Sequence, residues 1–216
     1  MMKTFAIVPV KRFENAKTRL SPLLSADDRI QLSSVMLDDT LSVLGDVQPL
    51  EEIVVVSVDS RAGEIAERYG AKFLNEQKES GVNPAVKLGD IYCSSQSADA
   101  TMVIPQDLPL LDTIDVAMAC DLAEKEVKCI VICPSLRYDG TNLLLRKPPS
   151  VMETYYDNDS YETHIKSAKE QGILVKLFLS RRLMSDIDTP EDAMQLSKEA
   201  GSGKTLQFIK SRLGKF

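Results

Sequence analysis

Apolar residues along this chain fall into two alternating kinds of segment: short unbroken runs and longer stretches at helical spacing. Residues 5–10, 53–58, 71–74, 101–105, 128–133 and 173–179 are the short runs. Residues 53–58, β-branched and without polar alternation, have the pattern of a central parallel strand covered on both faces. Between the runs lie amphipathic segments with start and stop signals. Ser25 caps a helix through Leu32, Val35, Met36, Leu37, Leu41 and Leu44 that stops at Gly45. Ser60 caps a helix to Tyr69, closed by Gly70, and a further helix covers residues 84–95. Asp112 caps one beginning at Thr113, Ser160 one over 161–171 that ends at Gly172, and Thr189 one with Pro190 at its first position. A last helix spans residues 204–213. Strand and helix taking turns in this way predict a single α/β domain around a mostly parallel sheet.

In such a sheet ligands bind at the carboxyl ends of the strands, so the residues just after each strand carry the candidate chemistry. The first strand runs into a loop with Lys11, Arg12, Lys17 and Arg19, which reads either as a phosphate seat or as a solvated basic turn. Gly81, Asn83 and Ala85 surround Pro84 at a predicted helix start, where backbone donors and an amide can face a ligand. Asp107 follows the fourth run directly and reads either as a ligand for a divalent cation or as a helix cap, although Asp112 is better placed to be that cap. Gly140, Thr141 and Asn142 form either a small-anion cradle or an ordinary Asp-Gly turn. Asp186 and Asp188 precede the Thr189 cap as further candidate cation ligands. His164, the one histidine, lies a turn inside its helix and reads as a packed residue or a base. Residues 201–205, Gly-Ser-Gly-Lys-Thr, imitate the end of a P-loop, but the first glycine of that motif falls at Lys198 and no strand precedes it.

Composition narrows the partners. A net charge of -6 and a pI near 5.0 argue against a general nucleic-acid or anionic-membrane binder, so an anion site has to be local. The N-terminus lacks a leader pattern and no apolar run is long enough to span a bilayer, which points to a cytoplasmic protein. Cys93, Cys120, Cys129 and Cys133 have no metal spacing and read as buried apolar residues. Two acids with Lys and Arg in one cleft suit a metal-bound polyphosphate, whereas no Ser-His-Asp or Cys-His grouping supports acyl transfer.

Over nearly its whole length the sequence resembles the 2-phospho-L-lactate guanylyltransferase family of the coenzyme F-420 pathway. The resemblance runs through residues 8–11, 16–20, 81–85, 107–109, 140–142, Ser160 with His164, and 186–190. It implies a Rossmann-like three-layer sandwich of the nucleotide-diphospho-sugar transferase (glycosyltransferase-A) type, with GTP and a small phospho-acid as substrates, Mg²⁺ as cofactor and a homodimeric state. By that resemblance Lys11, Lys17 and Arg19 hold the triphosphate and Pro9 also binds the nucleotide, with Lys17, Arg19 and Asp107 catalytic. Gly81, Asn83 and Ala85 hold the guanosine, Asp107 and Asp188 bind Mg²⁺, and Thr141 and Ser160 receive the acceptor phosphate. Where relatives often have a glycine three residues before that serine, this chain has Asp157. Related nucleotidyltransferases act on CTP or UTP with sugar phosphates, and a non-catalytic nucleotide-binding module is the alternative outside enzymology.

Overall fold

The computed structural model describes residues 2–214. The six apolar runs form β1 (Thr4–Val10), β2 (Leu50–Ser57), β3 (Lys72–Asn75), β4 (Ala100–Val103), β5 (Cys129–Pro134) and β7 (Leu174–Leu177), and a strand outside them, β6 (Thr141–Lys147), begins at Thr141 where the sequence reads a loop. Together they make one sheet in the order β3-β2-β1-β4-β6-β5-β7, in which only β6 runs antiparallel to its neighbours. The helices among the described residues are α1 (Ala26–Gly45), α2 (Ser60–Arg68), α3 (Val82–Ser95), α4 (Thr113–Glu124), α5 (Ser160–Glu170), α6 (Arg181–Met184), α7 (Pro190–Leu196) and α8 (Lys204–Leu213). None is long and apolar enough to cross a membrane.

The sheet is apolar on both faces, as its unalternated strands require. Val8, Val55, Met102 and Val131 pack in one cluster with Leu37 and Leu41 of α1, Ile65 of α2 and Val116 and Ala119 of α4. On the opposite face Ile7, Val54 and Val56 meet Ala85 and Cys93 of α3, and Ile130, Ile132 and Leu144 meet Ala168 of α5. The close approach of α3 depends on Gly89, where an added Cβ would lie 2.8 Å from Ile7 Cγ2. All four cysteines are free and buried, and burial raises their thiol pKa values, that of Cys93 to about 12.

Several boundaries differ from the sequence reading for local reasons. Asp59, not Ser60, caps α2, its carboxylate accepting from the Arg61 amide at 3.1 Å. The third helix begins at Val82, with Gly81 at a φ of 98° as its cap, rather than at Pro84. Ser160 is the first residue of α5 and not its cap; Asp159 holds the cap position in a left-handed conformation, so the Ser160 hydroxyl is free for tertiary contacts. Asp112 and Thr189 do cap their helices, Thr189 in a capping box with Asp192. The segment resembling a P-loop is a helix start: the Lys204 ammonium pairs with Asp38, and Asp39 accepts from the Lys204 and Thr205 amides.

Candidate active site

The carboxyl ends of β1, β4 and β5 open on a cleft of about 880 Å³, a size that suits a nucleotide with a small second substrate. Because β6 runs antiparallel, its first residues, Thr141 and Asn142, lie at that same edge, opposite the end of β5. The cleft is lined by Pro9, Lys11, Lys17, Arg19, Asp107, Thr141, Asp157, Ser160, Asp186 and Asp188, residues up to 179 positions apart in the sequence.

Its centre is a buried cation among carboxylates. Lys17 Nζ lies 2.5 Å from Asp107 Oδ2 and 3.6 Å from Asp188 Oδ1, and Arg19 Nη1 lies 2.5 Å from Asp188 Oδ2. Lys17 is held at a φ of 54°, a left-handed conformation that costs a lysine about 1–2 kcal/mol. Hydrophobic packing supplies that cost: Leu20, one turn on, and Ile187, between the two acids, are buried in a cluster with Leu32, Met36, Ala193 and Ile209. The Ile187 amide also donates to the Asp107 carbonyl at 3.1 Å, and Thr40 holds the Gln106 carbonyl at 3.0 Å. Burial alone would lower the Lys17 pKa; the charges of Asp107 and Asp188 more than reverse this, so it stays a cation. Asp186 is pushed upward, first by burial and then by the charge of Asp107, while the Asn142 amide opposes the shift by donating to it at 3.2 Å.

That crowding of like charges fits a divalent cation. The donors are hard carboxylate oxygens, the kind Mg²⁺ prefers. Among the described residues no three such groups already stand in ligand geometry; the acids are held apart by the ammonium of Lys17 and the guanidinium of Arg19. The lining of the cleft sets six aspartates against Lys11, Lys17, Arg19 and Arg137, an excess of negative charge that a divalent cation would offset.

Across the cleft Ser160 Oγ donates to Thr141 Oγ1 at 3.1 Å, and Thr141 Oγ1 lies 3.1 Å from His164 Nδ1. His164 is fully buried, and its Nε2 accepts from the Tyr155 amide at 2.8 Å. Burial, with the nearby Arg146 charge as the second cause, lowers its pKa from 6.5 to about 4. A histidine that resists protonation when folded contributes stability that is complete above its unfolded pKa and lost as pH falls toward the folded one. The contribution is about 3 kcal/mol, and it disappears between about pH 6.5 and pH 4. Urea midpoints of the native protein and of His164→Leu should therefore converge over that window; parallel curves would contradict it.

The residues assigned to guanosine sit differently from one another. Val82 lines the cleft, but the Ala85 side chain is buried in the core beneath it and its amide bonds the Gly81 carbonyl. Asn83 clasps the opposite loop, accepting from the Tyr156 amide at 2.8 Å and donating to Asp157 at 3.2 Å. Gly140 offers no free cradle, since its amide is taken by Ser135 Oγ at 3.1 Å. Lys11 lines the mouth and makes no ion pair among the described residues. Arg137 was not singled out by the sequence. It lines the cleft, 3.1 Å from Asp192 and 3.5 Å from Asp186, and a lone arginine in a turn-rich loop after a strand was the available signal.

The model of the family described as "Guanylyl transferase CofC like" matches residues 4–214, every cleft residue included. The chain belongs to this family. Its relatives include the phosphoenolpyruvate guanylyltransferase of Conexibacter woesei, 36% identical over 98% of this chain and 97% of the relative. The 2-phospho-L-lactate guanylyltransferase of Methanothermobacter thermautotrophicus is 36% identical over 88% and 82% of the two chains. Among solved structures, a Desulfovibrio desulfuricans protein described as a nucleotide-diphospho-sugar transferase superposes with a TM-score of 0.78 over 99% of this chain and 96% of its own. At 16% identity that likeness bears on the CofC-like fold alone.

Proposed function

We propose that the chain is a guanylyltransferase that joins GMP from GTP to the phosphate of a small phospho-acid, 2-phospho-L-lactate or phosphoenolpyruvate, with release of pyrophosphate. The observation that carries this reading is the buried Lys17 ammonium between Asp107 and Asp188, facing the Thr141 and Ser160 hydroxyls across one cleft.

In this reading Lys11 and Arg19 receive the triphosphate at the mouth, and the start of α3 lies beside the nucleoside. Thr141 and Ser160 receive the acceptor's phosphate. Its second pKa is about 6, so near neutral pH it is largely a dianion and attacks the α-phosphorus directly. A new P–O–P bond forms, the bond from the α-phosphorus to the β-bridging oxygen breaks, and pyrophosphate leaves with that oxygen. No side chain needs to take a proton, which agrees with a His164 that is buried and engaged at both nitrogens. Lys17 and Arg19 neutralise charge building on the departing pyrophosphate. Asp107 and Asp188 are the residues that would hold Mg²⁺, with Asp186 beside them; when bound, the metal supplies Lewis-acid polarisation of the α-phosphoryl group.

The test is pyrophosphate release from GTP, CTP and UTP, each with 2-phospholactate, phosphoenolpyruvate and 3-phosphoglycerate. Release from GTP that depends on a phospho-acid is expected. Preference for CTP or UTP, or release from none of the nine pairs, would overturn the assignment.

A further inference from the structure

We infer that His164 is a positioning residue: it holds the Thr141–Ser160 hydroxyl pair so that one hydroxyl proton of the pair always faces the cleft, where the acceptor's phosphate is received. The inference rests on the assignment of that phosphate made above.

The Tyr155 amide can only donate, and it meets His164 Nε2 at 2.8 Å, so Nε2 carries a lone pair and no proton. The neutral ring must then be protonated at Nδ1. On that side it faces Thr141 Oγ1 at 3.1 Å, an oxygen that can accept from it. The Tyr155 amide thus selects the tautomer, and the Thr141 hydroxyl accommodates it.

The consequence falls on the hydroxyls. An Nδ1–H ring cannot accept from Thr141, so the Thr141 proton has no home on the histidine. Thr141 and Ser160 can exchange only one hydrogen bond, at 3.1 Å, and they bring two protons to it. One proton is left over. Thr141 and Ser160 are both largely buried but line the cleft, whereas His164 lies wholly behind them, so the surplus O–H turns toward the ligand. An acceptor phosphate, which offers only lone pairs at neutral pH, requires such a donor. With the opposite tautomer Nδ1 would accept the Thr141 proton and the donor would be lost.

The helix start reinforces the arrangement. Asp159 in its left-handed conformation makes no side-chain cap, so Ser160 Oγ is not drawn back to its own helix. The rings of Tyr155 and Tyr156, with centroids 5.9 and 5.0 Å from that of His164, restrict its rotation. The charged groups facing it are Arg146 and, behind that, Asp90, paired at 2.7 Å.

The chain has a single histidine, so long-range proton–nitrogen correlation on the ¹⁵N-labelled protein reads its tautomer with no assignment problem. At pH 7 the inference expects Nδ1–H; an Nε2–H ring, or a mixture, would overturn it. Kinetics give the second arm. His164→Leu should raise KM for the phospho-acid about five- to tenfold, leaving KM for GTP within about twofold. His164→Asn, which places an amide donor where Nδ1–H stood, should recover most of the loss. An equal rise in both KM values, or no rescue by asparagine, would mean a purely structural role and would overturn the inference. Failure of every phospho-acid with the unaltered protein would instead contradict the functional assignment, while the tautomer is still read directly.

Discussion

Asp107→Asn is expected to lower the rate of pyrophosphate release from GTP by about 1,000-fold, with the fold retained. Its carboxylate lies 2.5 Å from the Lys17 ammonium at the centre of the cleft and is fixed there through its own carbonyl by the Ile187 amide. An amide has the same shape but lacks the charge to hold Lys17 or a divalent cation, and several kcal/mol of transition-state stabilisation correspond to about that factor. Lys17 keeps Asp188 and Asp186 as neighbours, so the melting temperature should move by only about 2–4 °C per kcal/mol lost. Turnover within about threefold of the native protein would show that this carboxylate does not serve the reaction; the scale is that of a single modest interaction.

The largest stability effect is expected away from the chemistry, at Asp90. Arg146 is the bulkiest fully buried side chain described, and Asp90, Thr101 and the Met152 carbonyl meet it at 2.7, 3.3 and 3.3 Å. Its Nε finds no partner, so the pair is already short of one hydrogen bond. Asp90→Asn leaves the guanidinium charge buried without compensation and should cost about 3–5 kcal/mol, read from urea unfolding. Replacing both residues, Asp90→Leu with Arg146→Met, should restore much of that loss, because an apolar pair of similar volume carries no desolvation penalty. A loss below about 1 kcal/mol for Asp90→Asn would contradict this view of the pair. Arg146 also bears on the cleft, as the charge that adds to burial in keeping His164, behind Thr141, neutral.

The sheet was legible because its strands are buried on both faces, and a stretch such as residues 53–58 has few other ways to be satisfied. β6 was harder: Arg146 within it looks like an exposed residue until Asp90, 56 positions away, is brought to it. The caps at Asp112 and Thr189 were readable because their partners are local; Ser160 was misread as a cap because its hydroxyl is bound by Thr141 on another element. The sequence reading proposed Lys17, Arg19, Asp107 and Asp188 as site residues, and the fold brings them together through the cluster that buries Leu20 and Ile187. The alternation of polar and apolar residues says nothing of Asn83 clasping Tyr156 and Asp157, or of Arg137 reaching Asp186. Those contacts depend on how loops from separate strands meet.

In the proposed reaction an oxygen of the acceptor's own phosphate attacks the α-phosphorus of GTP. Phosphorus NMR of the reaction of GTP with a phospho-acid labelled with ¹⁸O in its phosphate tests this most directly. A new diphosphate that keeps all of the label, with one labelled oxygen bridging the two phosphorus atoms, and pyrophosphate free of it are expected. Label in the pyrophosphate, or GMP released with no diphosphate formed, would contradict it.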